Sequence, residues 1–379
     1  MQKYINIGIM QKSKTEIQDE IVDLLGVKPH GIADLSPRIG KTRIGIQVMK
    51  RDKPKKILWV TPDVKLRDVD IPQEFVEWKA KTFLNKTTIV CWASLAKIKG
   101  HYDMVVFDEL QNITEINSKP FFNGNVTYGN ILCLTGTVPK DVNKLALIAR
   151  LQLETLHKVS IDEAQIAGLV ADYGINVIVT YLDSKQKRIK AGNKDKPFLQ
   201  TELAAYSYLN SKIIKMLYSR GSVPAFMYIQ RMNFIKNLPS KRDIAYKLFN
   251  TLPGRTLIFC SSIEQAEAFS EYTHHSKKKD TTDYDNFIEG SIPKLACVNS
   301  GGVGSTYRGV DNFIIVQSDN NKNGNITQKI ARSLVHQEGY KANIYLIAVA
   351  ETADMDWVKK SLEDFDSSKV TWLSSQNYE

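Results

Sequence analysis

The stretch that decides the fold is Leu35-Ser36-Pro37-Arg38-Ile39-Gly40-Lys41-Thr42. The short apolar run before it, residues 31–35, predicts a buried strand, and the apolar spacing of residues 43–49 predicts a helix. A loop between a strand and the start of a helix can hold phosphate oxygens with its backbone amides, because the amino end of a helix is partially positive. The sequence therefore predicts a phosphate-binding loop within an α/β fold.

The residues expected to contact the phosphates of a nucleotide are those of the loop and the first turn of the helix: Pro37, Arg38, Ile39, Gly40, Lys41 and Thr42. Lys41 is expected to reach the β and γ phosphates, and the hydroxyl of Thr42 is expected to ligate Mg²⁺. The usual pattern begins with a glycine where this chain has Leu35. Gly-Lys-Thr without that glycine also occurs by chance on lysine-rich surfaces.

A second informative run is Tyr102-Asp103-Met104-Val105-Val106-Phe107-Asp108-Glu109-Leu110-Gln111. Four apolar residues followed by two carboxylates predict a buried strand that ends in negative charge. Asp108 is a candidate ligand of Mg²⁺, and Glu109 is a candidate to polarise a water molecule for attack on the γ phosphate. Adjacent acids are often only a solvated pair, but the apolar strand before them favours a nucleotide hydrolase.

Other polar residues of the first half have two readings each. Gln18 lies on a predicted helix, 23 residues before Lys41, where it would reach an adenine bound above the loop or would simply face solvent. The predicted strand 130–134 ends in Thr135-Gly136-Thr137, which would bridge the nucleotide site to the opposite side of a cleft or form only a polar turn.

The second half repeats the α/β pattern after a mostly helical stretch at residues 199–250. Residues 161–172 predict a helix and residues 185–196 an exposed loop, and glycines 301, 302 and 304 follow a predicted strand. Gln328 and Arg332 are four residues apart and share a helix face. Arg332 would stabilise charge on the γ phosphate from across a cleft, although a surface salt bridge explains it as well.

Composition limits the class of protein. The chain has 379 residues, with 43% hydrophobic and 24% charged, which is ordinary for globular domains, and its formal net charge is +10. This excess suits a polyanionic partner or a generally basic surface. The four cysteines lie far apart in apolar runs and suggest reduced core residues. The sequence has neither an apolar run long enough to span a bilayer nor a signal-peptide pattern. We therefore expect a cytoplasmic protein that does not bind a membrane.

Taken in order, these motifs resemble those of superfamily 2 helicases and translocases. Pro37 to Thr42 is similar to motif I, Asp108-Glu109-Leu110-Gln111 to motif II, and Thr135-Gly136-Thr137 to motif III. Residues 300–304 with Asp311 resemble motif V, and Gln328 to Arg332 resembles the first half of motif VI. The resemblance implies two tandem RecA-like domains, each a mainly parallel sheet flanked by helices, that clamp ATP and Mg²⁺ between them and hold nucleic acid across their top.

The resemblance also implies roles for single residues. Gly304 and Asp311 would contact ATP, Gln328 and Arg332 would complete the catalytic site from the second domain, and Gln111, Thr135 and Thr137 would couple the site to movement. The nucleic-acid grips would be the strand-end residues Thr61, Pro62, Ser94, Ser261, Ser262, Ser300 and Gly301.

Departures from the family pattern concern catalysis. Arg38 replaces a loop glycine, and Ala331 replaces the glycine of motif VI. The position of the second motif VI arginine is Val335, beside His336. Either hydrolysis is slow, or another cation such as Arg308 substitutes.

The sequence thus predicts an ATP-dependent helicase or translocase acting on DNA, with RNA left open as the alternative. We expect RecA-like domains at 1–170 and 171–379, with a helical connecting segment at about 197–250. We further expect a monomer with replication or repair partners, and the compact, Asn- and Lys-rich chain suits a phage. The alternatives are a nucleic-acid-binding module that has lost hydrolysis and a P-loop phosphotransferase acting on a small molecule.

Overall fold

The computed structural model of the chain describes residues 12–193, 195–278, 280–298, 307, 309–316, 326, 329–330, 333–335 and 339–378. Within these ranges the chain forms two parallel sheets, one of six and one of seven strands, and a separate antiparallel hairpin. Helices connect most of the successive parallel strands. This arrangement confirms the predicted fold class, an α/β chain of two tandem RecA-like units.

The first sheet is built from residues 31–159. Its strands are β1 (Gly31–Leu35), β2 (Ile57–Thr61), β3 (Thr87–Cys91), β4 (Gly100–Asp108), β5 (Val126–Thr135) and β6 (Thr155–Val159). They lie in the order β3-β2-β4-β5-β1-β6. All residues of β2 are buried, which is why its sequence is a continuous apolar run rather than an alternating one.

Helices cover this sheet and begin at recognisable sequence signals. They are α1 (Lys14–Leu24), α2 (Lys41–Asp52), α3 (Ile71–Glu77), α4 (Lys81–Leu84), α5 (Glu115–Phe122), α6 (Val142–Arg150) and α7 (Ile161–Ile166). Ser13, Thr114 and Ser160 each form a capping box that satisfies free amides at the start of α1, α5 and α7. These caps fix where each helix starts.

The second sheet begins at Asp172. Its strands are β7 (Asp172–Thr180), β10 (Thr256–Cys260), β11 (Thr273–His274), β12 (Lys294–Val298), β13 (Asn312–Ile315), β14 (Lys341–Val349) and β15 (Val370–Ser374). The hairpin strands are β8 (Ile189–Gly192) and β9 (Pro197–Gln200). The seven strands lie in the order β11-β12-β10-β13-β14-β7-β15, so the first strand in sequence lies near one edge.

The helices of the second half fall into two groups. Three of them, α8 (Glu202–Arg220), α9 (Ala225–Lys236) and α10 (Pro239–Thr251), occupy the stretch between β7 and β10. The others are α11 (Ile263–Phe269), α12 (Thr282–Glu289) and α13 (Ala353–Ser361). No helix in the described part of the chain is both long and apolar enough to cross a lipid bilayer.

The structure corrects the sequence analysis in two places. Residues 185–196 were expected to form an exposed loop, but most of the stretch forms the hairpin of β8 and β9 with register Ile189↔Gln200. The sequence signal was weak because residues 185–196 contain five lysines and a glycine, and the hairpin strands have no buried face. Residues 161–172 read as helical, but α7 ends at Ile166 and β7 starts at Asp172.

A buried ion pair joins the helical stretch to the second sheet. Lys241 on α10 donates to both carboxylate oxygens of Asp354 on α13, at 3.1 and 2.9 Å, and both side chains are fully buried. Asp354 also accepts from the backbone amide of Val349 at 2.9 Å. A buried charge that loses its partner is strongly destabilising, so this pair fixes α10 and α13 at the end of β14.

We expect Lys241→Met to destabilise the second unit by about 3–5 kcal/mol, because it leaves the Asp354 carboxylate buried without its cation. The corresponding fall in melting temperature is at least about 6 °C, measured by scanning calorimetry. Lys247→Met, an exposed position on the same helix, is the matched control and should change stability by no more than about 0.5 kcal/mol. Equal effects of the two substitutions would contradict this account of the pair.

Candidate nucleotide-binding site

The carboxyl edge of the first sheet brings the sequence motifs of the first half together. Strands β4, β5 and β1 are parallel neighbours, so the segments that follow them emerge side by side. The segment after β4 contains Glu109, that after β5 contains Gly136, and that after β1 is the loop 36–40. Crevices outside the carboxyl ends of parallel strands are where ligands bind in open α/β sheets.

The loop 36–40 is held from both sides. The amide of Ser36 donates to the carbonyl of Val159 on β6 at 2.9 Å. The side-chain Nε2 of Gln18 donates to the carbonyl of Ile39 at 2.6 Å. Gly40 has φ +89°, and a Cβ there would lie 2.0 Å from Gln18 Nε2. Gly40 is therefore required both by its left-handed backbone and by the close approach of α1.

Gln18 therefore has a different setting from the one predicted. The sequence placed it above the loop, facing an adenine, or in solvent, whereas its side chain is only 3% exposed and its Nε2 supports the loop from α1. Neighbouring Arg38 also departs from expectation, because it has φ +70° where a glycine would be unstrained. The loop thus reaches its shape through one glycine, one strained arginine and a buried amide.

Lys41 lies at the centre of the edge. Its Nζ is 3.6 Å from Oε1 of Glu109, and both side chains are partly accessible. A Cβ on Gly136 would lie 3.3 Å from Lys41 Nζ and 3.3 Å from the carbonyl of Leu35. The Thr135-Gly136-Thr137 turn therefore packs closely on the loop, and the missing side chain of Gly136 leaves room for the lysine.

A chain of hydrogen bonds connects the segments after β4 and β5. Gln111 Nε2 donates to Glu109 Oε2 at 2.7 Å, and the hydroxyl of Thr135 donates to Gln111 Oε1 at 2.9 Å. The same hydroxyl accepts from the amide of Thr137 at 3.2 Å. Gln111 and Thr135 are buried, so these bonds are not weakened by competing water. Gln111, Thr135 and Thr137, predicted as coupling residues, thus form one connected path to Glu109.

Asp108 is the most electrostatically perturbed group of the site. Its carboxyl is buried, and burial together with the neighbouring Glu109 charge raises the pKa of Asp108 to about 7 despite the opposing effect of Lys41. Glu109 itself has φ +57°, a backbone conformation that residues other than glycine rarely adopt. Strain of this kind is often found at functional sites.

The residues present fit a bound Mg²⁺. Asp108 and Thr42 offer the hard oxygen donors that Mg²⁺ prefers, and a divalent cation would relieve the carboxylate charge that only Lys41 now offsets. Among the described residues there is no group of three or more His, Cys, Asp or Glu that could hold a metal alone. Nucleotide phosphates and water would supply the remaining ligands, as is usual for Mg²⁺.

Sequence reasoning missed a cavity beside the loop. Its volume is about 530 Å³, and it is lined by Asp34 and Lys158 of the first sheet and by Glu363 and Asp364 of the second half. Asp34 Oδ2 lies 3.6 Å from Lys158 Nζ, and burial raises the pKa of Asp34. The available signal was a single aspartate within the otherwise apolar strand β1.

The predicted nucleic-acid grips have mixed positions. Thr61 ends β2 at the expected edge, but it is fully buried and its hydroxyl cannot reach a phosphate directly. Pro62 follows it, and Ser94 lies in a short 3₁₀ helix (Trp92–Lys97) after β3. Ser261 and Ser262 follow β10 and bond to Gln265 at the start of α11, which is a capping arrangement. Ser300 and Gly301 lie outside the described residues.

The predicted nucleotide contacts of the second half cannot be assembled in the same way. Gly304, Gln328 and Arg332 lie outside the described residues. Asp311 is described, and its carboxylate accepts from the amide of Arg255 at 2.7 Å, directly before β10 and β13 begin. Its prediction as a nucleotide contact is therefore corrected, because it holds a turn at the amino edge of the second sheet.

Val335, at the position of the second motif VI arginine, is described. Its backbone forms an isolated antiparallel bridge to Val170, just before β7. A short apolar side chain at this position offers no charge to a phosphate. Any charge that the second half offers to a phosphate would therefore come from another residue.

Comparison with known proteins identifies the fold. No protein-family model and no curated protein matches the chain. Among solved structures, the helicase domain of Pyrococcus furiosus Hef matches with a TM-score of 0.54 at 12% identity, covering 91% of this chain and 97% of that one. Dbp5 of S. cerevisiae bound to RNA and ADP BeF3 matches with a TM-score of 0.56 at 12% identity, covering 96% and 90%.

A third structure is the ATP-dependent Type ISP restriction-modification enzyme LlaBIII bound to DNA, with a TM-score of 0.58 and 12% identity. The match covers 99% of this chain but only 31% of that enzyme, so the chain spans about a third of its length. At these identities the likeness concerns the fold. The chain shares the fold of these structures, two tandem RecA-like units, as the order of the sequence motifs predicts.

We expect Gly40→Ala to destabilise the first unit more than Gly26→Ala. Both glycines have left-handed backbones, but a Cβ at Gly26 meets nothing within 4 Å, whereas at Gly40 it displaces Gln18 from Ile39. Loss of the buried hydrogen bond adds about 1–3 kcal/mol to the backbone strain that both share. Scanning calorimetry should give a melting temperature for Gly40→Ala at least about 2 °C below that of Gly26→Ala.

We expect the raised pKa of Asp108 to make the stability of the first unit depend on pH. Its pKa is about 7 in the folded chain and about 4 when unfolded, so between these values the folded state binds more protons and stability falls as pH rises. Asp108→Asn should therefore gain at least about 1 kcal/mol relative to wild type between pH 5 and pH 8. Urea unfolding in the presence of EDTA measures this difference, with exposed Glu115→Gln as control. An unchanged pH profile would contradict the assignment.

Proposed function

We propose that the chain is an ATP-dependent helicase or translocase that couples ATP hydrolysis to movement along nucleic acid, with DNA favoured over RNA. The observation that carries the proposal is the connected path from Lys41 through Glu109, Gln111 and Thr135. It joins the phosphate-binding loop to the segments after β4 and β5 by side-chain contacts. A merely structural acidic pair would not need to be linked to both neighbouring loops.

In this proposal the site works through its own side chains. The loop amides and Lys41 bind the phosphates of ATP, which draws Lys41 away from Glu109 and leaves that carboxylate able to orient the attacking water. Asp108 and Thr42 hold Mg²⁺, which when bound neutralises charge on the phosphates. When Glu109 changes its partner, the hydrogen bonds of Gln111 and Thr135 change as well, because both residues are bonded in series with it.

The second unit would complete the site. We propose units at 1–170 and 171–379, with Gln328 and Arg332 facing the γ phosphate when they close. Among the described residues, pairs that link the units directly include Lys140 Nζ and Glu363 Oε2, which are 2.9 Å apart, and Tyr173, whose hydroxyl donates to Asp162 at 2.7 Å. Small changes at the edge of the first sheet therefore have direct routes to the second.

Nucleic acid as the partner is supported in two ways. The formal net charge of +10 suits a polyanion. Two of the structures with the same fold are bound to DNA and to RNA, respectively. Contacts to phosphates would position the strand without reading its sequence, and the affinity should fall steeply with salt.

One observation favours a second candidate function. Val335 stands where the resemblance expects an arginine and is fixed by its backbone bridge to Val170. A chain without that charge could bind nucleic acid with little hydrolysis. This candidate keeps the fold and loses the chemistry.

We expect Mg²⁺-dependent ATP hydrolysis that rises at least about tenfold with one polymer among single-stranded DNA, duplex DNA and RNA. A phosphate-release assay measures this with each polymer in excess. Glu109→Gln should abolish turnover but keep ATP binding, because it removes the group that orients water while leaving the loop and Lys41 in place.

The outcomes separate the candidates. Polymer-stimulated turnover that is lost in Glu109→Gln supports the motor and identifies its track. Binding of nucleic acid without turnover favours the second candidate, and Val335→Arg then tests whether the missing charge is the reason. Turnover that no polymer stimulates would indicate a small-molecule phosphotransferase and sink the motor proposal.

A further inference from the structure

The charge of the chain is concentrated in one segment. Residues 181–238, which contain the hairpin and helices α8 and α9, include 11 Lys and Arg against 3 Asp and Glu. This segment, called the insert below, thus carries +8 of the formal net charge of +10. The rest of the chain, more than five times longer, is nearly neutral, so any general attraction for a polyanion comes mainly from the insert.

The insert is anchored at the carboxyl edge of the second sheet. Its residues Tyr206, Ile235 and Leu238 form a buried cluster with Val349, at the end of β14, and with Trp357 of α13. The hydroxyl of Tyr206 accepts from the amide of Ala353 at 3.1 Å. The insert is therefore held by a small core of its own at the edge where parallel strands end, which is the edge that binds ligands in such sheets.

The insert also exposes large apolar side chains at its surface. Tyr218 is 87% exposed, Phe226 63% and Tyr208 58%, and Tyr228 of α9 and Phe198 of the hairpin are also exposed. Single exposed apolar residues need no explanation, but several on one small unit mark an interaction surface. The segment does not hide these rings although its helices are long enough to do so.

Cations lie beside several of these rings. Lys212 Nζ lies 4.3 Å from the ring centre of Tyr208, and the guanidinium of Arg231 lies 5.7 Å from that of Tyr228. Tyr208, Lys212, Lys215 and Tyr218 are spaced by four, three and three residues along α8, so they share one side of the helix. All four are exposed. The side therefore presents ring, cation, cation and ring over about 15 Å.

We propose that this side of α8, formed by Tyr208, Lys212, Lys215 and Tyr218, binds single-stranded nucleic acid. Single strands offer regularly spaced negative charge along the backbone together with unpaired bases that stack on aromatic rings. An acidic protein would match the lysines but would leave the rings without a specific role, and duplex DNA keeps its base faces covered. The combination of exposed rings and cations thus fits the single strand best.

This surface adds a grip on nucleic acid to the proposed function. Only the role of that grip rests on the proposed function, because the binding itself does not need ATP. The end of β7, where the insert starts, lies three strand spacings from β10, or about 14 Å. The insert is therefore close enough to the segment after β10 to hold the same strand. A grip of this kind would keep the strand in place while the two units open and close.

The test measures binding of a fluorescent oligo(dT) by anisotropy without nucleotide, using the full chain. Tyr208→Ala with Tyr218→Ala should weaken binding at least about thirtyfold, because two bases lose the rings on which they stack. Tyr208→Phe with Tyr218→Phe should restore it, since the rings remain. Circular dichroism and melting temperature should be unchanged, because these side chains are exposed.

Charge reversal tests the cations. Lys212→Glu with Lys215→Glu should weaken binding and reduce the slope of log Kd against log salt. Lys359→Glu with Lys360→Glu, exposed lysines on α13 outside the insert, is the matched control with the same change in charge and should bind nearly as wild type. Neither pair lies in the nucleotide site, so turnover without polymer should not change.

Three results would overturn the proposal. Both insert variants bind the oligonucleotide as tightly as the control does, or the lysine variant loses binding while the tyrosine variant keeps it. In the third, the variants lose self-association or a protein partner while their affinity for the oligonucleotide is unchanged. If wild type shows no polymer-stimulated hydrolysis but the rings still govern binding, the motor fails and this surface stands. If hydrolysis is stimulated and the rings have no effect on binding, this surface fails and the motor stands.

Discussion

The parallel order of β4, β5 and β1 is the constraint on which the rest of the site depends. Because the three strands are neighbours and run the same way, the phosphate-binding loop, the acidic pair and the Thr-Gly-Thr turn meet at one edge. Residues 67 apart in sequence, Lys41 and Asp108, become parts of one small volume. Without that order the loop would be a turn on a surface, and the carboxylates would be an ordinary solvated pair.

The site concentrates electrostatic cost at this edge. Two adjacent carboxylates share one lysine, and one of them, Asp108, is buried enough that burial and its neighbour raise its pKa to about 7. Glu109 adds a strained backbone, and Arg38 adds another in the loop. A fold that served only stability would have placed an uncharged residue here, since an unpaired buried charge is destabilising. The arrangement is understandable if a cation and phosphates complete it.

The sequence predicted best where a local pattern matches the final surroundings. Strand β2 is a continuous apolar run that ends in Thr61, and β4 contains such a run, residues 104–107, before Asp108, so their position and their ends could be read directly. The motif order led correctly to two parallel sheets. The hairpin of β8 and β9 was missed, because its strands bury no apolar face and the lysines around them resemble a loop.

Single residues were predicted less well, because their roles depend on contacts that spacing does not encode. Gln18 has the spacing expected of a nucleotide contact, yet it supports the loop through Ile39. Asp311 was predicted as a nucleotide contact from its resemblance to motif V, but the register of β13 against β10 places it at the amino edge. Asp34 and Lys158 went unnoticed, since their meeting depends on β1 and β6 being neighbours.

The distribution of charge separates two tasks that the sequence analysis had merged. A net charge of +10 was first assigned to the chain as a whole, but +8 of it lies in the insert and the remaining chain is almost balanced. In the proposed function the two sheets would hold an anionic nucleotide between acidic and basic groups, and this favours balanced charge near the site. Attraction of a long polyanion needs a continuous excess of positive charge, and that excess can be kept at a distance from the acidic pair only on a separate segment. The insert meets this need because it is anchored at the edge of the second sheet, away from Asp108 and Glu109 of the first.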